Sequence, residues 1–289
     1  MTGIKTKDLT DRAMLVSLNI KNWNIIRKDK NATATITEKY NSDAGWAKGS
    51  KYLADPKDMS EINNAISAAR QFHQTYTSPW SDEGNYRILA SVNYMFYTDR
   101  MREYNNQFTA AVSDFINVKY PDVKEKAFLA LKGLFNELEY PDVDRLKDKF
   151  AFNVSVSPIP SADDFRITQI SDSDIEDIKS QITRKMEESQ RLIIKDLWER
   201  LYDVVEKAAI TFKDPTAKFH DSKIDNIEEM IEVLKKLNFD NDPKLDRMCD
   251  AVTQRLVNID VEEIRKDKEV RAEVAESAQN ILDRIASYM

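Results

Sequence analysis

From Ser173 to Phe212 the chain runs for roughly forty residues without a glycine or a proline, and its apolar side chains recur at helical spacing throughout. Ile175, Ile178, Ile182, Met186, Ile193, Leu197, Leu201, Val205 and Ala208 follow one another at intervals of three, four or seven, which keeps them on one face of a 3.6-residue helix. Ser173 with Glu176 three places on reads as a capping box, and Asp214-Pro215 supplies a stop. At about 1.5 Å per residue the helix reaches on the order of 60 Å, longer than one compact core needs, so its ends are expected to project or to pack against another chain. Beyond Gln190, Leu192, Ile194, Trp198 and Tyr202 widen the stripe, which predicts burial on two flanks in the C-terminal half and on one in the N-terminal half.

Such a helix needs partners, and the composition supplies helices. The 289 residues contain only five glycines and eight prolines, too few for glycine-rich phosphate loops or β-meanders. The single cysteine, Cys249, forms no internal disulfide, and no apolar run near the N-terminus resembles a signal peptide or a membrane span, so a cytoplasmic protein without a membrane partner is expected. The net charge of −7 is unevenly placed: residues 1–51 carry ten Lys/Arg against five Asp/Glu, and residues 171–289 carry 20 against 28. The acidic excess of the C-terminal part is read as that of a solvated helical surface in preference to an acidic docking surface.

Met14 to Trp23 alternates with the period of a half-buried strand. The basic segment from Lys28 to Lys51 predicts a short helix over 33–40 and a mobile loop around Gly45 and Gly49. Asp55-Pro56 opens a helix through Tyr76, and a second long helix is expected from Asn85 to Val118. Tyr120-Pro-Asp-Val123 and Tyr140-Pro-Asp-Val143 read as one helix start used twice. Phe152, Val154 and Val156 alternate again, and residues 165–170 are a further strand candidate; with Met14–Trp23 they make a small sheet. Residues 222–237, 243–257 and 260–288 are amphipathic helices able to pack on the central one. The expected fold is mainly α with a small antiparallel β-sheet, in an N-terminal region over 1–170 and a long-helix bundle over 171–289.

Chemistry is sparse. Two histidines, His73 and His220, and one cysteine leave a Cys/His zinc site short of ligands, and no Gly-rich nucleotide fingerprint or Walker-type loop occurs, so no cofactor, metal or catalytic residue is assigned. His220, in a polar turn, is read as solvated. The most suggestive grouping is Arg70, His73, Trp80, Asp82 and Arg87, where the loop Thr77–Gly84 links consecutive elements. It is either a recognition site or a structural turn in which Trp80 plugs the core and Arg70 pairs with Asp82 or Glu83; if His73 lies on the helix surface, it contributes little to stability.

Lys51-Tyr-Leu-Ala-Asp-Pro56, Ala69-Arg-Gln-Phe-His73, Thr77-Ser-Pro-Trp-Ser-Asp-Glu-Gly84, Tyr97-Thr-Asp-Arg-Met-Arg102, Phe150-Ala-Phe-Asn-Val154 and Pro158-Ile-Pro-Ser-Ala-Asp-Asp-Phe-Arg166 together resemble a family of tailed-phage and prophage proteins known only as a domain of unknown function. The resemblance covers roughly residues 14–170 and leaves the C-terminal helices unmatched. It implies a phage-encoded protein in the cytoplasm of a bacterial host, with no established activity and no catalytic residues to carry over. The expectation is therefore a non-enzymatic, oligomeric binding or scaffolding protein that presents long helices to protein partners or to itself. The alternative is single-stranded nucleic-acid binding through the basic N-terminal segment and the aromatics Tyr40, Trp46 and Tyr52.

Overall fold

The computed structural model describes residues 6–81, 84–162, 171–214, 221–239 and 241–289. In chain order the elements are α1 (Thr6–Arg12), β1 (Ala13–Lys21), β2 (Ile26–Asp29), α2 (Lys30–Tyr40), β3 (Gly49–Tyr52), α3 (Ser60–Tyr76), β4 (Ser78–Pro79), β5 (Tyr86–Ala90), α4 (Tyr94–Asp114), α5 (Tyr120–Leu131), α6 (Val143–Lys147) and β6 (Ala151–Ser157). They continue with α7 (Asp172–Lys213), α8 (Ser222–Leu237), α9 (Pro243–Val252), α10 (Val261–Lys266) and α11 (Lys268–Ala286). The fold is mainly α, with a four-stranded antiparallel sheet in the order β4-β5-β1-β6 and a separate two-stranded ribbon of β2 and β3.

The chain forms two compact units that do not follow its linear order. One comprises Met1–Ser17, Gln74–Tyr97 and Ser155–Met289; the other comprises Leu18–His73 and Thr98–Val154. This division differs from a cut at residue 170, because the C-terminal helices share a unit with two stretches from the first hundred residues.

In the first unit α7 is the spine. Met186, Ile193, Leu197, Trp198, Leu201, Val205, Ala208, Ala209 and Phe212 are buried along it, packed with α8, α9 and α11 and with Leu9, Leu15, Trp80, Ile88 and Ile159. Its N-cap is Ser171, whose Oγ accepts from Asp174 N at 3.2 Å, so the capping side chain lies two residues before the expected Ser173. At its other end Arg271, on α11, donates from Nε to the Phe212 carbonyl at 3.0 Å and from Nη2 to the Thr211 carbonyl at 2.7 Å. A nearly buried guanidinium thus satisfies carbonyls that the last helical turn leaves without a partner. The stretch expected as one helix over 260–288 breaks at Asp267, whose carboxylate caps α11 by accepting from Glu269 N and Val270 N.

β5 is the main departure from the periodicity. Residues 86–90, expected within a helix from Asn85, pair antiparallel with β1 in the register Ala13↔Ala90 to Ser17↔Tyr86. Ile88, Leu89 and Ala90 form a short apolar run, which suits a strand covered on both faces as well as it suits a helix turn. The strand candidate at 165–170 lies outside the described residues.

The second unit packs α3, α4 and α5 around Trp23, Ile62, Phe108, Phe115, Tyr120 and Leu146. The two Tyr-Pro-Asp-Val segments do different work here. Tyr120 opens α5 directly out of a π-turn over Phe115–Lys119 with no side-chain cap, whereas Asp142 caps α6 by accepting from Arg145 N at 2.8 Å. The expectation of one local solution used twice does not hold: four residues leave the preceding backbone undetermined.

Candidate functional site

The turn around Thr77 is a junction closed by two arginines. Arg87 donates from Nε to Thr77 Oγ1 at 2.7 Å and from Nη2 to the Thr77 carbonyl at 2.8 Å; Arg200, on α7, donates to the same carbonyl at 2.7 Å and to the Thr75 carbonyl at 2.8 Å. These carbonyls end α3, where cations are favoured by the helix dipole and orphan acceptors need donors. Asp196, one turn before Arg200, pairs with it at 2.9 Å. Burial and the nearby Arg200 both lower the Arg87 pKa from its ordinary value, with Asp196 working against them. Trp80 is 6 % exposed and belongs to the core of the first unit, as the structural version of this turn requires.

The five residues singled out in the sequence do not form one cluster within either unit. Trp80 and Arg87 belong to the first, Arg70 and His73 to the second, and Asp82, with Glu83, lies outside the described residues. Arg70 is exposed. His73 is 6 % exposed, so a surface position for it is corrected: it sits on the buried face of α3 with Ile62, Ile66 and Ala69. His220 lies outside the described residues.

The second unit holds a buried ionic centre. Lys51 Nζ lies 2.8 Å from Asp29 Oδ2, 2.8 Å from Glu139 Oε2 and 2.6 Å from the Leu134 carbonyl, so three acceptors match its three protons. Asp29 also caps α2, its Oδ1 accepting from Ala32 N at 2.9 Å. Burial works against the Lys51 ammonium, but Asp29 and Glu139 outweigh it and raise the pKa; the Asp29 carboxyl is lowered, first by Lys51 and then by the Ala32 N–H. Beside this centre Tyr120 donates to the Pro141 carbonyl at 2.6 Å, and burial pushes its pKa up to about 12. An open cleft of ≈ 800 Å³ is lined here by Trp23, Arg27, Lys124, Tyr140, Arg145 and Lys149 among others. Two of its four basic side chains are offset within it: Lys124 pairs with Glu137 at 3.0 Å and Arg145 with Asp142 at 3.4 Å.

As chemistry, these groups hold structure. Lys51 has its protons committed, and burial pushes the Cys249 thiol up to about 12, which keeps it from the thiolate form. Among the described residues no group of three or more His, Cys, Asp and Glu side chains is placed to hold a metal ion, and no helix is long and apolar enough to cross a membrane. No sequence signal marks the Lys51 centre, whose members are 22 and 88 residues away from it, or the contribution of Arg200 to the turn.

The basic segment is the more open region. Tyr40, Trp46 and Tyr52 are 71 %, 88 % and 53 % exposed. No protein-family model matches the chain, and no match was found among curated proteins or solved structures.

Proposed function

We propose that this chain is a non-enzymatic, phage-encoded binding and scaffolding protein that self-associates through its long helix or offers it to a protein partner. The observation that carries this reading is the first part of α7. None of residues 172–185 is fully buried; Ile175 and Ile178 are half-buried, and Ile182, on the same side, is the first to pack against the core of the first unit. About 15 Å of amphipathic helix, residues 172–181, therefore precedes the first residue packed on the core, and the half-covered stripe of Ile175 and Ile178 gains further when a second surface covers it. The phage assignment, and with it a bacterial cytoplasm, draws on the six sequence segments that resemble the phage family.

Light scattering on the full chain tests the proposal. The expected result is a mass above the 33.5 kDa monomer at micromolar concentration, returned to the monomer by Ile178→Asp with an unchanged far-UV circular dichroism spectrum. A strict monomer, with no protein recovered on the tagged chain from infected cells, removes the reading.

A second reading, single-stranded nucleic-acid binding, is favoured by the three exposed aromatics of the basic segment. Lys51 takes no part in it, because its ammonium is enclosed by Asp29, Glu139 and Leu134. Binding that appears at 50 mM salt and falls steeply as salt rises supports this reading; none at 50 mM sinks it.

A further inference from the structure

The β2–β3 ribbon has one covered face and one open face. Its register pairs Ile26 with Tyr52, Lys28 with Ser50 and Asp29 with Gly49. Asp29, Gly49 and Lys51 are buried on one face, where Arg27 at its end is exposed, and α2 lies so close that a Cβ on Gly49 would come 2.7 Å from the Ala32 Cβ. Because side chains alternate along a strand, Ile26, Lys28, Ser50 and Tyr52 share the opposite face, and all four are exposed. Tyr52 and Ile26 are direct cross-strand neighbours, with Lys28 two residues along β2 from Ile26.

We infer that this open face binds single-stranded nucleic acid, with a base stacked on the Tyr52 ring beside Ile26 and the backbone phosphates met by Lys28 and Lys48. The inference rests on the second reading above and gives it a location. Charge selects this occupant over an apolar protein surface. The open face itself carries Lys28 and no acidic side chain, and Lys48, exposed and just before β3, keeps the same alternation as Ser50 and Tyr52; Arg27 falls on the other face, and Lys30 and Lys39 belong to α2. An exposed aromatic on an open sheet face among lysines is what sequence-tolerant stacking uses, since every base has a π-face. Trp46, in the loop that enters β3, is the exposed member of four tryptophans; Trp23, Trp80 and Trp198 are 3 %, 6 % and 3 % exposed.

The test is fluorescence anisotropy of labelled 20-nucleotide oligo-dT and oligo-U with the full chain at 50 mM salt. Tyr52→Phe is expected to bind as the parent does. Tyr52→Thr, which suits a strand but offers no ring, is expected to bind about fivefold or more weakly with an unchanged melt. Lys28→Ala and Lys48→Ala are each expected to lower the slope of log affinity against log salt by about 0.7. If the parent binds neither oligonucleotide, the second reading falls and the inference with it. If the parent binds and Tyr52→Thr binds equally well, the reading stands and this face is not the site. If no oligonucleotide binds while Tyr52→Thr lowers the mass seen by light scattering, the face is a protein interface and the inference is overturned.

Discussion

Individual side chains decide two separate questions here, where the core is anchored and where charge is tolerated inside. Trp80, 6 % exposed among the apolar residues of the first unit, is a core anchor. Trp80→Ala is expected to lower stability by about 3–5 kcal/mol, as loss of a buried large aromatic does; a thermal melt that overlays the parent's would reopen the turn as a recognition site. Lys51 answers the second question. Replacing it with Met leaves the Asp29 carboxylate and the partly exposed Glu139 carboxylate without their cation, and a lower melting temperature near neutral pH is expected. The pH dependence has a defined sign. The Asp29 carboxyl is lowered from 3.8, so its contribution is present above that value and is lost as pH falls through the depressed one. The Lys51 ammonium is raised from 10.5, so its contribution is present below 10.5 and is lost as pH rises past the raised value. Melts of the parent between about pH 2 and pH 5 should therefore drop more steeply than those of Lys51→Met; parallel curves would mean that the pair does not govern acid stability.

At the scale of elements, the long helix was legible because its punctuation and its period agree: the expected 173–212 compares with α7 at Asp172–Lys213. The same was true of α3, α8 and β6, whose apolar residues keep one period from end to end. β5 was not legible, because three consecutive buried residues carry no period. Gly49 illustrates a different loss. Paired with Gly45 it suggested a mobile loop, yet its backbone lies against α2, where an added Cβ would meet the Ala32 Cβ at 2.7 Å and the Ala32 carbonyl carbon at 2.9 Å. Gly49→Ala must push α2 off β3, so an expected loss of about 1–3 kcal/mol should appear in denaturant unfolding, as overpacking does elsewhere. An unchanged midpoint would show that α2 moves freely over the ribbon.

For the whole molecule, the consequential fact is that the core of the first unit takes Leu9 and Leu15 from its first segment, Trp80 and Ile88 from its second and the α7–α11 helices from its third. A fragment of residues 171–289 should therefore expose apolar surface that the full chain covers, and bind a dye such as ANS where the full chain does not; a fragment that melts with the parent and binds no dye would show the helices to be self-sufficient. The sequence alone determined what depends on neighbours along the chain: the helical class, the apolar stripe of α7 and its end before Asp214, and the scarcity of histidine and cysteine that limits the available chemistry. Only the tertiary structure decided what depends on neighbours across it. The chain's crossings between units at residues 17, 73, 97 and 154, the enclosure of Lys51, the burial of His73 and the openness of Tyr52 rest on contacts between distant segments. Periodicity states that a residue has an apolar side; it carries no information about which of many apolar surfaces that side will meet, or whether any will meet it.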